Sequence, residues 1–205
     1  MSTEDEPPAD GRRIRGDRTR REITERAAEM ASVTGLSGVS LHHLARDLGI
    51  SKSGVAAAFG SKQDLEVATV ATAIEIFVEH VVAPAMSRRA GRPRLRALID
   101  SWFAYIDERV FPGGCFMAAV LPEYDTQPGP VRDALHQGRT AWMELLAEQV
   151  AAMQEQGQLG TELSAEAVAF EIDAVLAAAN LDRNLSDGTS ALTQARRVLK
   201  VRLGL

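Results

Sequence analysis

The sequence predicts an all-α fold of about nine helices, and three observations carry that expectation. Apolar residues recur at helical spacing along most of the 205 residues, and no stretch alternates apolar with polar as a half-buried strand does. Alanine and leucine abound while aromatic residues are only 5% of the chain, a balance that favours helices over sheets. Glycine and proline fall between the periodic stretches, at Gly35, Gly49, Gly60, Phe111-Pro112-Gly113-Gly114 and Pro128-Gly129-Pro130, where they punctuate.

The elements follow in order. Residues 1–11 are acidic and proline-rich with almost nothing to bury, and they are expected to be disordered. Residues 12–21, RRIRGDRTRR, hold six arginines and extend this arm to about residue 16. Helix 1 is expected from Asp17 to Thr34, with Ile23, Ala27, Met30 and Ala31 on its core face and Gly35 as its stop. Helix 2 runs from Leu41 to Leu48 behind the N-cap Ser40, and Gly49 supplies the positive φ that ends it. Helix 3 opens at Ser51 and ends near Phe59-Gly60. Ala45 is small where these two helices cross, and Leu44, Leu48, Ile50 and Val55 fill the space between them. That pattern is a helix-turn-helix, whose second helix is shaped to enter a DNA major groove.

Helix 4 opens at Ser61, where Asp64 three residues on resembles a capping box with Asp in place of Glu or Gln. Leu65, Ala68, Ala71, Ile74, Val78 and Val81 share one side of it, and Pro84 lies near its end. The basic connector SRRAGRPR leads to helix 5, Arg94 to Arg109. Helix 6 runs from Cys115 to Glu123, and helix 7 from Pro130, suited to a first helical turn, to Gln156. Helix 8 spans Ser164 to Asn184 and helix 9 Thr189 to Leu203. The expected division is an arm at 1–16, a helix-turn-helix domain at 17–62 and a helical bundle at 63–205. Helix 8 carries two apolar faces. One holds Ala165, Val168, Ala169, Ile172, Leu176 and Ala179. The other holds Phe170, Ala174, Ala177, Ala178, Leu181 and Leu185. A surface helix needs only one such face, so the second is expected to meet another copy of the chain as part of a four-helix bundle, the plain alternative being a helix central to a monomeric bundle.

Charge and composition narrow the function. The net charge of −5 is unevenly spread: residues 11–63 hold ten Lys/Arg against five Asp/Glu, so a local basic patch can bind phosphates on an acidic molecule. No apolar run is long enough to cross a membrane, the acidic N-terminus is no secretory signal, and a single cysteine excludes an internal disulfide framework; a cytoplasmic protein is expected. No Ser/His/Asp or Cys/His constellation can be argued from spacing, so an enzyme is the least favoured class, and no cofactor is expected. His42 and His43 lack partners at metal-ligand spacing, and His80 and His136 are isolated. Cys115 stands at a predicted helix N-terminus, where a thiolate is stabilised, yet the plainer reading is a pocket or core thiol.

From Arg20 to Val67 the chain resembles the DNA-binding domain of the tetracycline-repressor (TetR) family of bacterial transcription regulators. The resemblance rests on Ile23 and Ala27, Gly35, Val39-Ser40, Leu44-Ala45, Gly49-Ile50-Ser51-Lys52-Ser53-Gly54, Phe59, Ser61-Lys62 and Leu65. The piece FPGGCFMAAVLPEYDTQPGPVRDAL resembles one subgroup of the family's C-terminal domains. The resemblance implies that helices 1–3 bind DNA, that helices 5–7 enclose an effector pocket, and that helices 8 and 9 dimerise. One departure is clear: the aromatic usual two residues after Gly54, and the His often found before the Phe, are Ala56 and Ala58 here.

Candidate DNA contacts are therefore Arg18, Arg20 and Arg21 for phosphates; Ser40 and His42 on helix 2; Ser51, Lys52, Ser53, Gly54, Ala56 and Ala57 on helix 3; and Ser61 and Lys62 at the start of helix 4, where backbone N–H groups add to the lysine charge. Arg12, Arg13 and Arg15 are candidates for a minor-groove arm. Candidate effector contacts are Trp102, Phe103, Ile106, Phe116, Met117 and Val120, with Tyr124, Trp142, Met143 and Leu146; they imply a hydrophobic, flat ligand. Apart from Arg132 and Arg139, helices 6 and 7 hold no deep basic residue, which disfavours an anionic one such as an acyl-CoA. Candidate dimer contacts are Phe170, Ala174, Ala177, Ala178, Leu181 and Leu185 on helix 8, with Leu192 and Leu199 on helix 9. The expected function is a homodimeric, ligand-responsive repressor released from a near-palindromic operator. The alternative is a weakly specific DNA-associated structural protein without an effector, which an alanine-rich reading helix would suit.

Overall fold

Ser40, Ser51 and Ser61 each cap a helix, and their spacing sets the layout of the N-terminal third. Ser40 Oγ accepts the His42 N–H at 3.2 Å, Ser51 Oγ accepts the Gly54 N–H at 2.9 Å, and Ser61 Oγ accepts the Asp64 N–H at 3.1 Å while donating to the Asp64 carboxylate at 2.6 Å. The computed structural model describes residues 9–186 and 188–205. It places nine helices among them, counting α4 and its extension as one. These are α1 (Ala9–Thr34), α2 (Leu41–Leu48), α3 (Lys52–Phe59), α4 (Lys62–Phe77), α5 (Arg92–Asp107), α6 (Phe116–Tyr124), α7 (Pro130–Glu155), α8 (Ala165–Ser186) and α9 (Ser190–Leu203). No strand occurs among the described residues, so the all-α expectation holds.

Helix α4 continues without a break through a π-helical turn, Val78–Val82, and a last α turn, Ala83–Met86. The wide turn has a cause in the sequence: Pro84 has no N–H and its ring would crowd the carbonyl four residues back, and the Ala83 N–H reaches the Val78 carbonyl instead.

One boundary is corrected. Helix α1 begins at Ala9 rather than Asp17, so the backbone of residues 9–16 is helical where a flexible arm was expected. Arginine is a good helix former, no proline follows Pro8 in this stretch, and Arg18 pairs with Glu22 four residues on at 2.8 Å. The expected disorder of residues 1–8 lies outside the described residues.

Helix α1 is the spine of the N-terminal third. Ile23, Ala27, Ala28 and Ala31 are buried against Leu44, Val55 and Phe59 of α2 and α3 and against α4. Asp47 on α2 ties back to Arg26 at 2.7 Å, and that hydrogen bond, followed by one from Arg46, holds the Asp47 carboxyl below its usual range. Gly49 takes φ 66°, as its place after α2 requires. Beyond α4, helices α5 to α9 form a bundle in which α8 packs on both α7 and α9, and α4 crosses α7. The buried residues form one continuous core from Ile23 to Leu203. No helix among the described residues is long and apolar enough to cross a membrane.

Candidate DNA-reading head and ligand cavity

On α3 the buried side holds Val55 and Phe59, and the opposite side, Ser51, Lys52, Ser53, Gly54, Ala56 and Ala57, is exposed. His42 of α2 and Ser61 and Lys62 of α4 are exposed beside it, with Ser40 partly so. The exposed α3 face offers one cation, Lys52, and two short polar groups, Ser51 and Ser53. Lys52 makes no hydrogen bond or ion pair among the described residues, so its charge is uncommitted. Lys62 lies 3.4 Å from the Ser37 carbonyl and 3.4 Å from Glu66, and its side chain remains 53% exposed.

The three helix 1 arginines divide. Arg18 pairs with Glu22 and stays exposed. Arg20 donates to the Ala58 carbonyl and stacks its guanidinium 4.4 Å from the Phe59 ring centre, pinning the end of α3 to α1. Arg21 binds Glu25 and Glu75, and the Glu25 hydrogen bond leads the causes that raise its pKa. Arg20 and Arg21 thus serve the α1 contacts with α3 and α4, where phosphate contacts were expected. The backbone of Arg12, Arg13 and Arg15 lies within α1.

A cavity of about 440 Å³ lies where α4, α5, α6, α7 and α8 meet. Of the ten candidate effector contacts, it brings together Trp102, Met117 and Trp142. The other seven do not line it. Phe103, Ile106, Phe116, Val120 and Leu146 are fully enclosed core, Phe103 lying under the Arg196 guanidinium at 4.2 Å. Met143 and Tyr124 are half-buried outside it. Burial, with the nearby Glu66 and Glu123, pushes the Tyr124 hydroxyl up to about 12.

Sequence reasoning missed other parts of the wall: Ile74 and Phe77 from α4, Leu121 and Pro122 from α6, and Asp173 and Asn180 from α8. Phe77 meets Trp142 edge to face, ring centres 5.2 Å apart. Asp173 accepts from Arg139 at 2.9 Å and from the Trp142 indole N–H at 3.2 Å. Within the apolar stretch 172–181 of α8, Asp173 and Asn180 are the two polar residues, and that was the signal that could have found them. Cys115 also lines the cavity. Burial pushes its thiol up and outweighs the backbone N–H groups of Ala118 and Met117, so the helix N-terminus does not produce a thiolate. Among the described residues no group of three or more His, Cys, Asp or Glu could hold a metal ion.

The outward side of α8 and α9 is apolar and exposed: Phe170 is 63% exposed, Leu181 58%, Leu185 77% and Val201 78%, and Ala174, Ala177, Ala178 and Val198 are exposed among them. Leu192 and Leu199, expected at the same face, are instead buried in their own core, because α9 turns that stripe toward the bundle and presents Val198 and Val201 outward. Ala177 and Leu181 also line the cavity, which therefore reaches the outward face.

The cavity wall is fastened to the reading head. Both Glu123 carboxylate oxygens, at the end of α6, accept backbone N–H groups of the α1–α2 turn, from Leu36 at 2.8 Å and Ser37 at 2.9 Å. Gly113 lies flush on the Ser32 backbone, where any Cβ would collide with it, and its N–H donates to Ser32 Oγ at 3.0 Å. The Gly113 carbonyl in turn accepts from Asn184 of α8 at 2.7 Å.

A helical fold with an exposed helix-turn-helix, joined to a bundle around an apolar cavity, has the build of a DNA-binding transcription regulator. Residues 91–199, more than half of the chain, match the family model described as "Tetracyclin repressor-like, C-terminal domain", and the chain belongs to that family of non-enzymatic DNA-binding transcriptional regulators. No curated protein matches it. Among solved structures, a TetR transcriptional regulator from Chloroflexus aurantiacus J-10-FL superposes with a TM-score of 0.83 at 22% identity, covering 92% of this chain and 95% of that one. A TetR-family regulator from Agrobacterium tumefaciens has a TM-score of 0.83 at 19% identity, covering 92% and 98%. AibR, in complex with isovaleryl coenzyme A and operator DNA, has a TM-score of 0.72 at 18% identity, covering 90% and 97%.

Proposed function

We propose that the chain is a ligand-responsive repressor that acts as a homodimer and leaves a near-palindromic operator when a small hydrophobic effector enters the cavity. The observation that carries this reading is the cavity of about 440 Å³, whose α6 wall ends in Glu123 on the reading head. A wall that is tied to the α1–α2 turn transmits a shift of α6 to the helix-turn-helix. Helix α4 offers a second route: it starts beside α3 and lines the cavity with Ile74 and Phe77. AibR, of the same fold, binds both an organic ligand and operator DNA, and that pairing favours the same division of labour here.

The apolar face of α8 and α9 supports the homodimer, since a contiguous exposed apolar patch marks an interaction surface. A two-fold dimer places two α3 helices in successive major grooves about 34–36 Å apart. Lys52 and Lys62 bind phosphates, and Ser51, Ser53 and Gly54, with the methyl groups of Ala56 and Ala57 against thymine, read the bases.

One observation favours a second reading: the exposed side of α3 is largely alanine and glycine, which suits a weakly specific DNA-associated protein without an effector. Salt-dependent band-shift assays on duplexes selected from a random pool, against unselected DNA, separate the two. A selected-to-random affinity ratio of about 10³ or more fits the repressor, and a ratio near unity fits the alternative.

A further inference from the structure

Asn180 lines the cavity yet is only 5% exposed, and its carboxamide is half used. Its Oδ1 accepts the Cys115 backbone N–H at 2.9 Å. That donor fixes the orientation of the amide, because only the oxygen can accept. The Nδ2 group, with two N–H donors, meets no acceptor among the described residues. Nδ2 is not enclosed by protein, so its two donors open to the cavity, where an acceptor on a bound molecule can take them in place of water.

The rest of the wall restricts what carries that acceptor. Its two charged groups, Arg139 and Asp173, already neutralise one another at 2.9 Å, and the second Asp173 oxygen is occupied by the Trp142 indole. An ionic ligand would find no uncommitted countercharge and would lose its hydration for nothing. Trp102, Trp142 and Phe77 present ring faces and edges, and Met117, Leu121 and Leu176 complete an apolar sleeve.

We infer that the effector is a neutral, flat carbonyl compound, of the class of aryl ketones, esters or quinones, and that Asn180 Nδ2 donates to its carbonyl oxygen. This rests on the reading of the cavity as the effector site and deepens it. Because the same side chain holds the first turn of α6 through Cys115, the carbonyl is sensed where α8 meets the helix that ends on the reading head.

Three probes of one shape test it by calorimetry on the full-length protein: 2-acetylnaphthalene, 2-ethylnaphthalene and 2-naphthoate. The ketone is expected to bind roughly tenfold more tightly than the hydrocarbon, as one added hydrogen bond contributes at its upper end, and the carboxylate more weakly than the ketone. In Asn180→Asp, which keeps an acceptor for the Cys115 N–H and removes the donor, the ketone preference should fall to unity or below. Equal binding of ketone and hydrocarbon to the wild-type protein, a preference unchanged in a folded Asn180→Asp variant, or a carboxylate tighter than the ketone each overturns the inference while leaving the cavity as an effector site. If none of the three binds, the cavity reading falls with it. Should the variant not fold, the wild-type ratios decide alone.

Discussion

Lys52 stands at the first turn of α3 with its ammonium uncommitted, and Lys62 stands at the first turn of α4 with weak internal partners. Both add charge to outward-pointing N–H groups, so each is proposed to bind a phosphate. Lys52→Ala and Lys62→Ala are each expected to weaken DNA binding across all sequences and to lower the salt slope by about one unit. Band shifts over a salt series check this, and an unchanged slope removes the residue from the interface. Cys115 behaves in the opposite way. Its thiol pKa is raised by burial, so the neutral form persists at pH values where an exposed cysteine ionises. Iodoacetamide should therefore modify it far more slowly than it modifies glutathione at neutral pH, and the rate should climb only at pH values above the ordinary thiol range. Equal rates at neutral pH would mean that the thiol is open to solvent. At this scale the sequence made the caps and the exposed reading positions legible, because local spacing alone determines them. It hid the commitments of Arg20 and Arg21, whose partners Ala58, Phe59 and Glu75 are distant in sequence.

Among the elements, α8 and α9 are the ones proposed to carry the assembly. Phe170→Glu or Val201→Glu is expected to yield folded monomers, because a dimer interface would bury an unpaired carboxylate. Leu192→Ala and Leu199→Ala, by contrast, should cost about 2–5 kcal/mol of stability each, as core cavities do, and leave the dimer intact. Sedimentation and thermal melts separate these outcomes; dimers of Phe170→Glu at micromolar concentration would move the interface elsewhere. The two faces of α8 were readable from their period. Those of α9 were not, since Leu192, Leu199, Val198 and Val201 spread apolar residues over both sides of a short helix, and only packing decides which stripe turns inward. The cavity was less legible still. Three of ten aromatic and apolar candidates on helices 5–7 face it, because helical spacing names the residues that leave solvent but not those that border a void.

For the whole molecule the question is how a cavity among α4 to α8 reaches α3. The structure offers a short chain of contacts: Asn180 to Cys115 at the start of α6, Pro122 and Glu123 at its end, and the Leu36 and Ser37 N–H groups in the turn before α2. Glu123→Gln retains the size of the side chain but replaces one acceptor by a donor facing an N–H. It should lower stability by about 1–3 kcal/mol and reduce the effect of any cavity ligand on DNA affinity. A variant with the full ligand response would show that α4 carries the signal alone. Cavity and reading head are proposed to be energetically coupled, and allosteric coupling typically amounts to about 1–3 kcal/mol, or 5–150-fold in affinity. The most direct measurement is fluorescence anisotropy of a labelled duplex, selected by the ligand-free protein, titrated with and without compounds shown by quenching of Trp102 and Trp142 to fill the cavity. Such a ligand is expected to lower duplex affinity by a factor in that range. Compounds that quench both tryptophans and yet all leave the affinity unchanged would contradict the coupling.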